Sequence, residues 1–284
     1  MRLDSDSKAL VRLALAEDLG EAGDITTEGF LPGALRLKGR FLVKRSGVLC
    51  GTAVADEVFR LAAPGTKVRW LKKDGDAVRA GEMAGTIEGG RRLLSAERTA
   101  LNFLQRLSGI ATLTRAYVRK TRGSRAQIYD TRKTAPGFRS LDKFAVLCGG
   151  GRNHRRGLFD MAMLKDNHLR ALPLKELAAR LAAFRRRRPR VPVEVEAQTH
   201  AEVESAVRLK ADVVMLDNMG LAALRREIAW LRRNAPAAEI EISGGLGLAD
   251  IRPLARLGPD RISVGRITHS APALDISLEL EPAG

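Results

Sequence analysis

The chain has 284 residues, of which 45% are hydrophobic and 29% charged. This composition is typical of a globular protein with a sizeable core and room for two domains. The net charge of +16 is compatible with nucleic-acid binding. However, aromatic residues are only 4% of the chain, and none interleaves with the densest basic run, 185–190, as base stacking requires. That run ends a helical pattern, where cations complement the helix dipole, so we predict a solvated helix end and no nucleic-acid partner.

The sequence predicts a cytoplasmic protein without a membrane anchor. No apolar run is long enough to cross a bilayer, and the first residues lack the apolar segment of a secretory signal. Cys50 and Cys148 provide neither a disulfide framework nor the spacing of a metal site.

The first hundred residues predict an α/β domain. Strand patterns occur at 40–44, 47–50 and 68–71, and a helical pattern covers 53–62. Segment 74–89 predicts hairpin turns, but no lysine stands at a turn tip for carrier modification, so we interpret it as scaffold. Ser95 is predicted to cap a helix that runs to Leu107 and carries Arg98 on its polar face.

The remaining chain alternates between strand and helix patterns. Six apolar, β-favouring runs are separated by segments with helical spacing. They lie at 126–129, 161–164, 191–195, 212–216, 239–242 and 261–264. Alternation with short loops predicts a parallel sheet. Six units are too few for a closed eight-fold barrel, so we predict a partly open (β/α) barrel.

Charged residues and glycines follow each of these runs. The carboxyl ends of all strands in a (β/α) barrel meet on one face, which carries the active site. The residues in question are Asp130, Arg132, Lys133, Lys165, Asp166, His168, Glu194, Glu196, Asp217, Asn218, Ser243, Gly244, Gly245, Gly265 and His269. Because these residue types recur in the same phase, the sequence predicts a site on that face.

The cationic residues at the strand ends predict binding of a small polyanion. They are Arg132, Lys133, Arg155 and Lys165. Arginine grips a carboxylate with two parallel hydrogen bonds, whereas lysine is a compact point charge, and a dicarboxylate would use both. The alternative is that these cations form salt bridges with nearby aspartates (Asp130, Asp160 and Asp166).

His154 follows three glycines and stands between Asn153 and Arg155. Such a loop presents backbone N–H groups and cations together, which suits a carboxylate or phosphate. The histidines lack the paired spacing of zinc ligands, so a zinc site is not predicted.

Glu196 and Asp217 end consecutive strands and are candidate ligands for Mg²⁺, which takes one or two carboxylates together with substrate phosphates. A role as counter-ion of Lys165 is open for either acid. Glycine-rich turns close the last two strands, at Ser243-Gly-Gly-Leu and at Ser263-Val-Gly265. Backbone amides in such turns can approach a phosphate closely.

Taken together, these motifs resemble the quinolinate phosphoribosyltransferase family, a type II phosphoribosyltransferase family. The N-terminal matches are Glu17-Asp-Leu-Gly, Gly23-Asp-Ile-Thr-Thr27, Glu97-Arg-Thr-Ala-Leu-Asn102 and Leu107-Ser-Gly-Ile-Ala-Thr112. The central matches are Asp130-Thr-Arg-Lys-Thr-Ala-Pro-Gly137, Gly149-Gly-Gly-Arg-Asn-His-Arg155 and Lys165-Asp-Asn-His168. The C-terminal matches are Val193-Glu-Val-Glu196, Met215-Leu-Asp-Asn-Met219, Ser243-Gly-Gly-Leu246 and Val264-Gly-Arg-Ile-Thr-His-Ser270.

The resemblance implies an α/β protein with an N-terminal open-faced α/β sandwich (1–110, joined by the tail 271–284) and a partly open (β/α) barrel (111–270). It also implies a homodimer, or a higher assembly of dimers, with active sites shared between subunits. In such a dimer, the helix that carries Arg98 reaches the barrel of the partner.

The implied reaction is Mg²⁺-dependent transfer of phosphoribosyl from phosphoribosyl pyrophosphate to quinolinate, giving nicotinate mononucleotide, pyrophosphate and CO₂ in NAD biosynthesis. The implied catalytic residues are Lys133, Lys165, Glu196 and Asp217. The implied quinolinate ligands are Arg98, Arg132, His154, Arg155 and Lys165. Lys133, Glu196 and Asp217 would contact phosphoribosyl pyrophosphate and its Mg²⁺, and Ser243, Gly244, Gly245 and Gly265 would bind the 5′-phosphate near His269.

The alternative is the molybdenum-operon relative of the same fold, acting on another acceptor. The intact Asn153-His154-Arg155 segment and the Lys165-Asp-Asn-His168 segment favour quinolinate. An enzyme that uses nicotinate, a monoacid, would need fewer cations. Type I phosphoribosyltransferases have two adjacent acids before a glycine loop, and this sequence has no such pair. Arg266 stands directly after Gly265, where the resemblance leads us to expect a small residue. This difference affects the expected geometry of phosphate binding but not the expected class of reaction.

Overall fold

The computed structural model describes residues 3–283. These residues divide into two compact units. The first unit contains the chain up to Arg115, Thr134–Gly150 and the chain from Ile267 onward. The second contains Ala116–Lys133 and Gly151–Arg266.

The elements of the N-terminal part, in chain order, are α1 (Ser5–Leu19), α2 (Ile25–Phe30), β1 (Arg36–Val43), β2 (Gly47–Val48), α3 (Thr52–Ala62), β3 (Lys67–Trp70), β4 (Ala77–Val78), β5 (Met83–Gly90) and α4 (Leu93–Lys120). Those that follow are β6 (Gln127–Tyr129), α5 (Arg139–Cys148), β7 (Ala162–Leu164), α6 (Asp166–Ala171), α7 (Leu174–Arg187), β8 (Val193–Ala197), α8 (His200–Arg208), β9 (Val213–Asp217), α9 (Leu221–Asn234), β10 (Glu239–Ser243), α10 (Ile251–Ala255), β11 (Arg261–Ser263), α11 (Arg266–His269) and β12 (Ile276–Pro282).

The first unit is built on a four-stranded antiparallel sheet with the strand order β12–β1–β5–β3. β1 buries Leu37, Phe41 and Val43, because alternate side chains of a strand point to the same side. Phe59 of α3 covers this side and meets Phe41 edge-on, with ring centroids 6.1 Å apart. The unit is therefore an α/β sandwich, as the family resemblance implied.

The C-terminal tail completes this sheet. β12 pairs antiparallel with β1, and Leu278 lies opposite Phe41 in the register. The tail thus pairs with a strand of the N-terminal part of the chain.

The second unit is built on a six-stranded, all-parallel sheet with the order β6–β11–β10–β9–β8–β7. Every residue of β8 is buried, as expected for a central strand covered on both faces. Each of the six predicted strands is present, and α7, α8 and α9 connect β7 to β10 in order. The predicted mixed α/β fold with a partly open (β/α) barrel is confirmed.

The predicted start of the central helix was wrong. α4 begins at Leu93 and runs to Lys120, so Ser95 lies in its first turn and does not cap it. The Ser95 hydroxyl instead donates to the Asp24 carboxylate at 2.7 Å. Leu93 is fully buried, and this tertiary packing starts the helix before the polar residue that the local pattern favoured.

Two further predictions concern the basic run and membrane-spanning helices. The basic run ends α7, whose last turn contains Arg185, Arg186 and Arg187, so the predicted helix end is confirmed. Within residues 3–283, no helix is both long and apolar enough to span a membrane.

Candidate active site

The strand register brings acidic and polar residues to one face of the second unit. Glu194 and Glu196 are two residues apart on β8, so their side chains leave the same side of the sheet. Asp217 is the last residue of β9 and pairs in register with Ser243, the last residue of β10. Because the strands are parallel, these ends lie along one edge of the sheet, as predicted.

Lys165 and Glu196 form an ion pair at this edge. Lys165 follows β7, and its Nζ contacts Oε2 of Glu196 on the neighbouring strand. The Glu196 side chain is 10% exposed, whereas that of Lys165 is 45% exposed. Of the two roles left open for Glu196, the counter-ion role is therefore present in the structure.

Asp217 has different partners. Its Oδ2 accepts a hydrogen bond from Nδ2 of Asn218 at 2.6 Å and a longer one from Nε2 of Gln198 at 3.5 Å. Asp217 is only partly buried. Carboxylate oxygens at adjacent strand ends, with neutral amide neighbours, form a donor set that fits a hard cation such as Mg²⁺.

Arg132 and Arg155 form a cationic pair in the same unit. Burial, and then the like charge of Arg132, lower the pKa of Arg155. Its guanidinium donates to the Met161 carbonyl at 3.3 Å and approaches Sδ of Met163 at 3.4 Å. The Nε of Arg132 is buried and has no hydrogen-bond acceptor among the described residues. Such a donor costs free energy until it is paired, and an anionic ligand would pair it.

The Ser243-Gly244-Gly245 turn is tied to the end of β9. The backbone N–H of Asn218 donates to the Ser243 carbonyl at 3.1 Å. Gly244 has a φ of +143°, and a methyl group at this position would lie 2.9 Å from Oδ1 of Asn218. At Gly245 a methyl group would meet nothing within 4 Å. The turn thus needs glycine at Gly244, and its backbone is open to a ligand at Gly245.

His154 is held by backbone contacts on both sides. Its own N–H donates to Oδ1 of Asp130 at 2.8 Å, in a buried hydrogen bond. The backbone N–H of Arg155 donates to Nδ1 of the His154 ring at 2.7 Å. The His154 side chain is only 4% exposed, so the ring lies in the interior of the unit.

Two buried glutamates face the other ring nitrogen. Nε2 of His154 lies 3.0 Å from Oε2 of Glu194 and 3.4 Å from Oε1 of Glu241. Both carboxylates are fully buried, and their oxygens accept no well-aligned hydrogen bond within the described part of the chain. Burial lowers the pKa of His154, but the two carboxylates outweigh it and raise this pKa to about 10. Burial and the charge of Glu241 raise the pKa of Glu194.

Sequence reasoning placed Glu194 among the strand-end residues of the site face without giving it a specific role, and it did not single out Glu241. A signal was present: Glu194 is in phase with Glu196 on β8, and Glu241 is in phase with Ser243 on β10. No local pattern links these glutamates to their partner, because His154 is 40 and 87 positions away from them along the chain (194 − 154 and 241 − 154).

The other predicted site residues lie as follows. Lys133 is exposed, and Gly265 is half-buried directly before α11. Arg266, which follows it, is exposed. Arg98 and His269 belong to the first unit and are exposed, and Nδ1 of His269 lies 2.6 Å from the Ser270 hydroxyl.

Comparison with known proteins covers both units. The model of the quinolinate phosphoribosyl transferase N-terminal domain matches residues 24–108, and that of the C-terminal domain matches residues 110–279. A chloroplastic nicotinate-nucleotide pyrophosphorylase (carboxylating) of Arabidopsis thaliana is 40% identical over 97% of this chain and 83% of its own length. The Mycobacterium leprae protein of that name is 40% identical over 95% of both chains.

A solved structure gives the same result. The nicotinate-nucleotide pyrophosphorylase of Francisella tularensis superimposes with a TM-score of 0.90 at 35% identity, covering 99% of this chain and 98% of the other. The parallel-sheet fold and its cationic strand-end site thus define an enzyme of the pentosyltransferase class. The chain belongs to the quinolinate phosphoribosyltransferase family.

Proposed function

We propose that this enzyme transfers phosphoribosyl from phosphoribosyl pyrophosphate to quinolinate with decarboxylation, releasing nicotinate mononucleotide, pyrophosphate and CO₂ for NAD biosynthesis. The observation that carries the proposal is the pairing of Arg132 and Arg155. Arg132 has a buried donor without an acceptor among the described residues, and burial and the Arg132 charge disfavour the cationic form of Arg155. A dicarboxylate would relieve both conditions, because it supplies acceptors and negative charge together.

The residues divide into two groups around the reacting atoms. Arg132, Arg155 and Lys165 would bind the quinolinate carboxylates. Asp217 and Glu196 would face the ribose and the pyrophosphate. As the C1–O bond to pyrophosphate breaks, positive charge develops on the ribose, and a carboxylate at the strand edge stabilises it.

The bond changes balance without a covalent enzyme intermediate. The quinolinate nitrogen donates its electron pair to ribose C1, while the bond to pyrophosphate breaks and its electrons leave with the phosphate oxygen. The ring nitrogen is then cationic, so the bond to the adjacent carboxylate can break with its electrons left on the ring carbon. CO₂ departs, and that carbon takes a proton from solvent. The protein contributes orientation and fixed charge.

Glu196 and Asp217 would hold Mg²⁺ together with substrate phosphates, and the ion would neutralise the departing pyrophosphate. In this arrangement Lys165 exchanges its contact with Glu196 for a contact with substrate. Lys133 would contact phosphoribosyl pyrophosphate as a point charge.

The proposal also covers the binding of the 5′-phosphate and the assembly of the enzyme into a homodimer. The open backbone at Gly245, together with Ser243, Gly244 and Gly265, would bind the 5′-phosphate, with His269 near it. The enzyme would act as a homodimer in which the partner subunit supplies Arg98 to the quinolinate carboxylates. A cytoplasmic location stays a prediction, since the Arabidopsis thaliana relative is named chloroplastic.

Product analysis tests the proposal. The purified protein is incubated with phosphoribosyl pyrophosphate, Mg²⁺ and either quinolinate or nicotinate, and the products are identified by mass spectrometry. Nicotinate mononucleotide from quinolinate alone, with one CO₂ released for each product, is the expected result. A folded protein that forms no product from quinolinate would refute the proposed function. That result would favour the molybdenum-operon relative, which acts on another acceptor.

A further inference from the structure

We propose that the second unit binds a nucleoside di- or triphosphate at a site separate from the strand-end site described above. The phosphates lie in a cationic cavity at the amino ends of β6 and β11, and the base lies in a groove between α9 and α10. The site goes beyond the proposed function and does not depend on it, because it shares no residue with the predicted active site.

The cationic cavity has a volume of about 330 Å³. Five of its nine lining residues are basic, and none is acidic. The basic residues are Lys120, Arg122, Arg125, Arg252 and Arg256, and all of them are exposed. Whereas the basic run 185–190 is continuous in the sequence, these cations come from two distant segments of the second unit, 120–125 and 252–256. The fold therefore gathers them, and such a group attracts a polyanion.

The cavity lies at the edge of the sheet opposite the predicted active site. Residues 122–125 come shortly before β6, and Gly258, which also lines the cavity, comes shortly before β11. These strands are parallel neighbours, and the Gln127 N–H joins the two loops by donating to the Asp260 carbonyl at 3.0 Å. The predicted active-site residues, in contrast, lie at the carboxyl ends of their strands. A ligand in this cavity therefore does not occupy the predicted active site.

The acid that contacts this group of cations is already neutralised. Oδ1 of Asp260 pairs with Arg125 at 2.5 Å, and Oδ2 accepts from Arg232 and from the Ile240 N–H, both at 2.8 Å. The four other cations of the cavity have no ion-pair partner within the described part of the chain. Their mutual repulsion is relieved when an anion with several charges enters the cavity.

An apolar groove adjoins the cavity, and the side chain of Arg256 lines both. The groove has a volume of about 480 Å³. Its apolar lining residues are Leu221, Ile228, Ala229, Pro253 and Leu257. The α9 positions that line it, 221, 225, 228, 229 and 232, share one face of the helix. This face extends about 16 Å along the helix axis, so the groove is long enough for a nucleoside.

Two side chains of the groove are available to a ligand. Leu221 is 47% exposed although it is large and apolar. Arg225 is exposed and has no hydrogen-bond or ion-pair partner among the described residues. A planar guanidinium stacks on aromatic rings, and a nucleobase is such a ring.

The two parts together define the chemical class of the ligand. The cavity requires several negative charges, whereas the groove requires a flat and largely apolar group. A nucleoside di- or triphosphate has both, with its phosphates and its base at opposite ends of the molecule. Each volume exceeds the lower limit of roughly 300 Å³ for small-molecule sites. An inorganic polyphosphate would fill the cavity and leave the groove empty.

Calorimetric titration of the purified protein tests the site with three probes, which are ATP, inorganic triphosphate and adenosine. We expect one ATP to bind to each chain, triphosphate to bind more weakly, and adenosine to bind most weakly. Added salt should weaken the binding of ATP, because exposed charges are screened. Absence of ATP binding at low salt would overturn the proposal.

The cationic cavity is tested by removing single charges. Arg122→Gln and Arg256→Gln should each weaken ATP binding about tenfold or more, the effect of losing one charge-assisted hydrogen bond. Arg186→Gln removes the same charge from the exposed end of α7 and should leave ATP binding unchanged. The KM values for quinolinate and phosphoribosyl pyrophosphate should stay near those of the wild type in all three variants. Equal losses of ATP binding in all three would refute a specific site.

The groove is tested by filling it. Ala229 is exposed on α9, so Ala229→Trp should keep the melting temperature of the wild type. It should lower the affinity for ATP to that for triphosphate and leave triphosphate binding unchanged. Equal affinities of the wild type for ATP and triphosphate would overturn the assignment of a nucleotide.

Two further outcomes would place the ligand elsewhere. Lys165→Ala changes the strand-end site and should leave ATP binding unchanged, so a loss of binding in this variant would assign ATP to that site and overturn the proposal. A short duplex DNA that binds more tightly than ATP, and whose binding is lost in Arg122→Gln and Arg256→Gln, would replace the nucleotide with a nucleic acid. Protein that is inactive with quinolinate would refute the proposed function alone, because these titrations do not require turnover.

Discussion

Replacing Gly244 with alanine should damage the proposed phosphate turn through backbone strain. Its φ of +143° lies in a region that side chains rarely adopt, and the new methyl group would lie 2.9 Å from Oδ1 of Asn218. The strain costs about 1–3 kcal/mol. Moving Asn218 aside would also weaken its hydrogen bond to Asp217, worth about 1 kcal/mol.

The expected loss of unfolding free energy is therefore about 2 kcal/mol or more, or about 4–8 °C in melting temperature. Because the turn would no longer hold its geometry, the KM for phosphoribosyl pyrophosphate should rise about tenfold while that for quinolinate changes little. Calorimetric melting and steady-state kinetics measure the two effects on the same preparation.

Gly245→Ala is the matched control, since a methyl group there meets no protein atom within 4 Å. Its melting temperature should equal that of the wild type. Any rise in its KM for phosphoribosyl pyrophosphate would then report crowding of the ligand itself. A Gly244→Ala protein that melts and binds as the wild type does would refute the reasoning.

Three other predictions concern the charged groups. Arg155→Lys should raise the KM for quinolinate about tenfold or more, because lysine lacks the planar two-donor fork, whereas the exposed control Arg180→Lys should have no effect on kinetics. Arg98→Ala and Lys165→Ala should each abolish activity, and mixing the two inactive proteins should restore part of it, whereas no recovery after verified subunit exchange would exclude shared sites. Chelation by EDTA should abolish turnover without lowering the melting temperature, and added Mg²⁺ should restore it; turnover that persists under chelation would contradict the Mg²⁺ requirement.

The sequence predicted the second unit well because its strands are short, apolar and separated by amphipathic helices. All six strands lie where the pattern placed them, and the polar residues that follow them lie along one edge of the sheet. This success follows from local chemistry: a β-favouring run and the residue after it are sufficient to locate a strand end.

The failures have a non-local cause. Ser95 has the chemistry of a helix cap, but its hydroxyl binds Asp24, which is 71 residues away. Glu194 and Glu241 have the alternation of strand residues, but their significance depends on His154, which comes from a separate loop. In both cases the deciding contact joins distant parts of the chain, and no local pattern encodes it.

The pairing of β12 with β1 has a consequence for biosynthesis. β1 ends at Val43, but its partner Ile276–Pro282 is synthesised only after the whole second unit. Until then the first unit has an unpaired strand edge, which is a site for aggregation. All segments of the second unit, in contrast, have been synthesised by Arg266. The usual order, in which N-terminal domains mature first during translation, would here be reversed, and the nascent first unit would need protection until β12 has been synthesised.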